Sequence, residues 1–346
     1  MSSVIHVLLT GGVGSRLWPL SRHSRPKQYL NIFSENTAGA GAEKHGQSRN
    51  LFELAIERNA ALSDRLMVVG NQGNRQLSED SLYKLKLTDY TDVVEAAPRN
   101  TAAAIAFAAF ASAKEDVLLV TPADHIIKDG PGYSGAIKEA IKLAHRDVLV
   151  TFGVAPNRPE SGYGYIEHKG QDVISFREKP SVETARDFLR QGNFLWNSGM
   201  FCFKAGVFLE ELKELSPVLF EKAKLAWQQN KEGKLPLEAS MEIPSVSVDY
   251  AVMEKSDKIK VIKAEFEWSD MGSFEAVYDY LKEQGHPVDV NGNMVLGSDR
   301  HTAFVGLGNC ILVSTKDAQL VLSKAESQKV KDVYVELEKN SPDLIH

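Results

Sequence analysis

The sequence predicts an α/β protein: a mostly parallel sheet with helices on both faces, then a small β-rich C-terminal domain. Three observations carry this. Strand-like and helix-like segments alternate through the first half of the chain, the pattern of βαβ units. The strands there are continuous apolar runs, as in strands buried on both faces. After Gly285 the chain turns to Gly, Asn and short β-like runs before one last amphipathic segment. The expected division is residues 1–284 and residues 285–346.

Each element has its own signal. Val4–Leu9 is an apolar run followed by glycines, read as the first buried strand. Leu51–Ala61 has helical spacing, Leu66–Val69 is a short strand, Leu77–Lys86 is amphipathic, and Asp92–Glu95 is a short strand. Asn100 precedes the run TAAAIAFAAFASA; Asn is a favoured N-cap and Ala the best helix former, so a helix starts there. Val117–Thr121 and Val148–Phe152 read as strands flanking an amphipathic helix over Tyr133–His145. From Gly162 the pattern loosens into short strands (YGYIE, VISFREK, GMFCFK) amid helices, as in a substrate-binding lobe. The tail is expected to hold strands in NMVLG, TAFVGL, CILVST and AQLVLS, then a helix near Ser327–Glu338. Sheets of this kind bind ligands at the carboxyl ends of their strands, so the polar residues following each strand are the candidates for chemistry.

Composition narrows the function. Of 346 residues, 43% are hydrophobic and 25% charged, which is ordinary for a globular protein. A net charge of −6 argues against nucleic-acid binding, which needs a basic face. No apolar run approaches the ~18 residues of a membrane helix, and Val4–Leu9 is too short for a signal-peptide core. Cys202 and Cys310, both in apolar runs, read as buried reduced thiols of a cytoplasmic protein.

The first strand runs into Gly11-Gly12-Val13-Gly14-Ser15-Arg16-Leu17, where glycines let backbone amides approach a phosphate. Leu17 stands where a dinucleotide-binding GxGxxG motif needs Gly or Ala, so a nicotinamide-dependent oxidoreductase is disfavoured. A tight strand-to-helix turn would account for the glycines alone. The neighbourhood argues for more: Met1–Ser34 has no Asp or Glu but carries Arg16, Arg22, Arg25 and Lys27, a bias suited to anions.

The segment GGVGSRLWPLSRHSRPKQ resembles, without gaps, the signature of the sugar-1-phosphate nucleotidylyltransferases. Trp18 and the PKQ form resemble their mannose-1-phosphate guanylyltransferase branch. The resemblance extends over about Val4–Leu337. It implies a Rossmann-like, GT-A-like nucleotidylyltransferase fold with a left-handed β-helix-like C-terminal domain. It also implies that Gly11, Gly12, Gly14, Arg16 and Lys27 hold the triphosphate of GTP.

Glu95-Ala96-Ala97-Pro98-Arg99-Asn100-Thr101 is similar to the branch's base-reading segment. A carboxylate can accept both N1–H and N2–H₂ of guanine, an arrangement adenine does not offer. Glu95 is thus the expected guanine reader, with Pro98, Asn100 and Thr101 lining the base pocket; an N-cap alone would also explain Asn100. Where the family has proline after RNTA, Ala103 stands here. Asp124 follows a buried strand, a natural Mg²⁺ position though also a common helix-cap position. The family's PADH pattern decides for metal, and only the resemblance pairs it with Asp270 of WSDMGS. His125 reads as structural. Three further segments resemble the family's sugar site, where Gly162, Glu178 and Asn197 meet hydroxyls and Lys179 neutralises the sugar phosphate. Asp249, in SVDYA, supports that pocket by resemblance.

The implied reaction is in-line attack of mannose 1-phosphate on the α-phosphorus of GTP, with Mg²⁺. The nucleophile is already an anion, so positioning and charge neutralisation suffice. A homodimer is expected by analogy. Thr37–Ser48 looks like an insertion, and the chain has no room for the isomerase domain of bifunctional relatives. Two competing readings stay open: a nucleotidylyltransferase of another pair, such as UTP or dTTP with glucose 1-phosphate, and a non-catalytic relative. Glu95 argues against the first and the intact Arg16, Lys27, Asp124 and Asp270 against the second.

Overall fold

The computed structural model describes residues 2–33, 49–128 and 130–346, so the expected Thr37–Ser48 loop lies outside the described residues. Its strands are β1 (Val4–Leu9), β2 (Arg65–Asn71), β3 (Thr91–Glu95), β4 (Val117–Pro122), β5 (Ile126–Ile127), β6 (Leu149–Val154) and β7 (Tyr165–Lys169). There follow β8 (Asp172–Arg177), β9 (Phe194–Lys204), β10 (Ile259–Lys263), β11 (Trp268–Ser269), β12 (Met294–Leu296), β13 (Cys310–Ser314) and β14 (Gln319–Ser323). The large sheet has the order β3-β2-β1-β4-β9-β6-β10-β8-β7.

β1 to β4 are mutually parallel, and β6 is parallel to β10. β9 runs antiparallel between β4 and β6. The interior of β1, β2 and β4 is sequestered (Val7, Leu8, Val68, Val69, Leu118, Leu119), which is why these strands lack polar alternation. The alanine-rich helix Asn100–Phe110 buries Ala102 to Ala109 against the sheet and the helices Ala205–Leu215 and Pro217–Gln228. Small side chains on all sides let it approach three neighbours closely. The helix Pro131–Ala144 covers the opposite face through Tyr133, Ile137 and Ala140.

Three local expectations change. Asn100 does not cap its helix in the usual way: it is the first helical residue, with φ +69°, and its Oδ1 accepts from the Thr101 amide at 2.8 Å. Asn tolerates that left-handed backbone better than most residues. The apolar run Thr302–Leu307 forms no strand, and Val305 and Leu307 are exposed. The tail sheet pairs β12 with β13 in parallel and β13 with β14 antiparallel, and the fourth run joins neither edge of it. Cys202 is buried as expected, whereas Cys310, opening β13, is partly exposed; both are free thiols. No helix among the described residues is long and apolar enough to cross a membrane.

The tail packs back onto the glycine turn. Leu17, Trp18 and Leu30 share one core with Met294, Ile311, Val313, Val330 and Tyr334. The Trp18 indole donates to the Leu344 carbonyl at 2.9 Å, and the Arg22 guanidinium grips both oxygens of Asp317 at 2.8 and 2.7 Å. Asp317 is half exposed, so solvent screens this fork and it adds little to stability. Arg22→Ala should therefore lower the melting temperature by only a few degrees, and by no more at high salt than at low; a loss above ten degrees would mean that the tail and the turn fold as one unit.

Candidate active site

A cleft of about 470 Å³ opens at the carboxyl ends of β1, β3 and β4 and beside β9. It gathers residues from across the sequence: Gly11, Gly12, Glu95, Pro98, Asn100, Thr101, Asp124, Gly162, Glu178, Lys179, Asn197, Asp249 and Asp270 all line it. Of the sequence-derived candidates, Gly14, Arg16 and Lys27 do not touch this space. Arg16 lines a small adjoining crevice that shares Gly162, Tyr163 and Asp270 with the cleft. It makes no ion pair among the described residues.

The glycine turn begins where β1 is anchored. The Thr10 carbonyl accepts from Gln28 Nε2 at 2.8 Å and Asn74 Nδ2 at 2.7 Å. Gly12 (φ +93°) and Gly14 (φ +78°) then take left-handed backbone, which side chains resist. The amides of Gly12, Val13 and Gly14 make no hydrogen bond among the described residues, leaving donors for an anion. Gly14 has a second duty: a Cβ there would sit 2.6 Å from Lys27 Cβ. Gly14→Ala should thus dislodge Lys27 and lower kcat/KM about 10²-fold in steady-state kinetics. Gly11→Ala meets nothing within 4 Å and should cost far less; equal losses in the two variants would rule out this assignment.

Lys27 is 5% exposed and its ammonium is committed. Nζ lies 2.7 Å from Asp124 Oδ2 and donates to the Asp270 carbonyl at 2.6 Å. The two aspartates, more than a hundred residues apart, therefore meet at one cation. The device that joins them is a two-stranded ribbon, β5 against β11, with Ser269 opposite Ile126. Continued one residue, that register sets Asp270 across from His125. Burial pushes the Asp124 carboxyl up, but the Lys27 charge, the neighbouring His125 and the hydrogen bonds from Lys27 and the backbone together hold Asp124 below the usual carboxylate range. His125, held low mainly by burial, accepts the Trp268 indole proton at Nδ1 (3.2 Å).

These two carboxylates suit a hard divalent cation, which takes oxygen ligands. No group of three or more His, Cys, Asp or Glu able to hold a metal occurs among the described residues. Such an ion would complete its shell with water and substrate oxygens, the usual manner for Mg²⁺.

At the other end of the cleft, Glu95 is buried and its Oε1 has no hydrogen-bond partner. Burial, only partly offset by the Arg99 amide, raises its carboxyl to about 7. An orphaned carboxylate in a cleft is costly unless a ligand supplies the donors. Thr101 Oγ1 accepts from the Val248 amide at 2.9 Å, which ties this end of the cleft to the segment carrying Asp249.

The cleft wall that carries Asn197 is built on a bulge. Gly199 (φ +72°) interrupts β9, and the β6–β9 register shifts there. Asn197 Oδ1 accepts from Thr151 Oγ1 and the Gly199 amide, both at 3.1 Å, while Nδ2 donates to Asp249 Oδ1 at 3.0 Å. Burial, then the nearby Glu178 charge, raises Asp249 to about 6. Glu178 pairs with Lys179, whose backbone is left-handed at φ +46°. The Gly162 amide, offered to the sugar on sequence grounds, donates instead to Glu160 Oε1 at 3.0 Å.

Sequence reasoning passed over three residues. Tyr163 donates to Asp270 Oδ1 at 2.7 Å, and Trp268 packs edge-on against both Tyr163 and His125. Gly164 leaves room for Glu178, since a Cβ would lie 2.5 Å from Glu178 Oε2. The aromatic spacing YGY offered a signal for Tyr163; nothing local marked the others.

A parallel-rich sheet with a glycine turn, two converging aspartates and an orphaned buried carboxylate at its strand ends is the arrangement of a nucleotidyltransferase. The nucleotidyl transferase family profile matches residues 5–285, and that of the mannose-phosphate isomerase/GMP-like β-helix domain matches 287–337. A mannose-1-phosphate guanylyltransferase of Escherichia coli is 36% identical over 363 residues, covering 97% of this chain and 74% of that protein. A solved Thermus thermophilus structure, titled a mannose-1-phosphate geranyltransferase, superposes with a TM-score of 0.78 at 28% identity, over 97% of this chain and 99% of that one. A Helicobacter pylori chain titled mannose-6-phosphate isomerase is 36% identical with a TM-score of 0.67, over 77% of this chain and 99% of that one. The chain belongs to the mannose-1-phosphate guanylyltransferase family of nucleotidyltransferases, enzymes that generally use a divalent metal.

Proposed function

We propose that the chain transfers GMP from GTP to α-D-mannose 1-phosphate, giving GDP-mannose and pyrophosphate. The observation that carries this is the convergence of the glycine turn, Glu95, Asp124 and Asp270 on one cleft. A sugar-phosphate oxygen forms the new bond to the α-phosphorus while the α–β anhydride bond breaks and pyrophosphate departs in line. Glu95 holds the base, and the turn amides with Arg16 hold the β- and γ-phosphates. Lys179 steadies the attacking phosphate; Glu178, Asn197 and Asp249 orient the sugar. Asp124 and Asp270 would hold Mg²⁺, which supplies charge neutralisation at the reacting phosphates. Lys27 neutralises charge beside them and keeps the two aspartate segments together.

The same reading assigns catalysis to residues 1–284 and gives residues 285–346 a supporting and subunit-contact role in a cytoplasmic homodimer. The assay is pyrophosphate release from each of GTP, ATP, UTP and dTTP, against mannose, glucose and fucose 1-phosphates with Mg²⁺. GTP with mannose 1-phosphate should lead by at least tenfold. A preference for UTP or dTTP with glucose 1-phosphate would replace this reading.

A further inference from the structure

We propose that Tyr163 is a positioning residue that locks one oxygen of the Asp270 carboxylate so that the other is presented to the metal. The proposal rests on the reading of Asp270 as a cation ligand given above. Asp270 Oδ1 accepts two hydrogen bonds, from the Tyr163 hydroxyl at 2.7 Å and from the Gly272 amide at 3.0 Å. Asp270 Oδ2 makes none among the described residues. A carboxylate pinned twice through one oxygen cannot rotate freely, so its second oxygen keeps one orientation. Metal sites depend on such outer contacts to hold their ligands.

The lock is itself braced. The Tyr163 ring stands edge-on to Trp196 and to Trp268, with centroids 5.2 and 5.3 Å away. Trp268 is fixed in turn by its indole bond to His125, the neighbour of Asp124. One run of contacts therefore links both candidate ligands, and Tyr163 is the member that touches Asp270. Room for the arrangement comes from Gly272, where a Cβ would fall 2.3 Å from Asp270 Oδ2.

A tyrosine lining a sugar cleft could serve only as an apolar wall. A wall needs the ring; a lock needs the hydroxyl. Tyr163→Phe separates the two. The experiment uses the full chain with a non-hydrolysable GTP analogue and measures Mn²⁺ binding by the electron paramagnetic resonance of free Mn²⁺. Nucleotide binding without metal and thermal melting are followed in parallel. Tyr163→Phe is expected to weaken Mn²⁺ binding about tenfold, leaving metal-free nucleotide affinity and melting near wild type. Asp270→Asn should lose more. The double variant should match Asp270→Asn alone, because the hydroxyl acts through that carboxylate.

Mn²⁺ affinity in Tyr163→Phe within twofold of wild type, with Asp270→Asn impaired, overturns the lock. A further loss in the double variant overturns it as well, since the hydroxyl would then act elsewhere. If Asp270→Asn itself binds Mn²⁺ normally, the failure lies with the ligand reading instead. If Tyr163→Phe melts early, Mn²⁺ binding is read at a temperature where both proteins are folded; an affinity there within twofold of wild type counts against the lock.

Discussion

Asp124→Asn is expected to lower turnover by about 10²–10³-fold while leaving the protein folded. Asparagine keeps the size of the side chain and one acceptor for Lys27, so the packing around the ribbon survives. What it removes is the negative charge. Asp124 is ionised at neutral pH because the Lys27 ammonium, with His125 and the hydrogen bonds around the carboxylate, together offset the cost of burial. Without that charge the site has one carboxylate for a divalent ion and its metal affinity collapses. Lys27→Ala should be worse on both counts: it takes from Asp124 its ammonium partner, and it severs the link to the Asp270 carbonyl. Steady-state pyrophosphate release and thermal melts on the two variants decide the matter. Turnover within tenfold of wild type in Asp124→Asn would remove this residue from the catalytic machinery.

The second large effect is expected at the base. Glu95→Gln should lower kcat/KM for GTP about 10²-fold, because glutamine offers one acceptor where guanine presents two adjacent donors. Inosine triphosphate, which lacks the N2 amino group, sharpens the comparison. Wild type should disfavour it against GTP by about tenfold, and Glu95→Gln should hardly distinguish the two. Equal discrimination in both proteins would dismiss Glu95 as the reader. The pH profile carries a sign. In the free protein burial raises the Glu95 carboxyl to about 7, and guanine needs the charged form. The KM for GTP should therefore fall as pH rises from 6 to 8. Stability runs the other way. A raised carboxyl binds its proton more tightly when folded, so the ligand-free protein loses stability as pH climbs from its ordinary value near 4.5 to about 7. Glu95→Gln should flatten both trends.

Much of this architecture was legible from local pattern. The buried strands β1 to β4 announce themselves as apolar runs, and the polar residues at their ends supply Gly11, Gly12, Glu95 and Asp124. Periodicity failed where a segment needs a distant partner to be a strand. Thr302–Leu307 is as apolar as its neighbours but pairs with no strand of the tail sheet. Its loop places Val305 in solvent. Cys310 misled for the same reason: an apolar neighbourhood in sequence does not tell which face of a thin sheet a residue takes. The pairing of Asp124 with Asp270 depends on a two-residue ribbon, too short for any periodic signal, so resemblance alone suggested it. The YGY spacing marks Tyr163 as an aromatic position, but its part depends on a hydroxyl meeting one carboxylate oxygen, which that spacing does not reveal.

That short ribbon also sets when the protein becomes competent. β11 is the late half of the pair, so a polypeptide ending before Trp268 would lack Asp270, the strand that places it and the tail residues that pack under the glycine turn. Such a fragment would carry Asp124 without the carboxylate proposed as its partner. Turnover is thus reserved for molecules whose far end has come home.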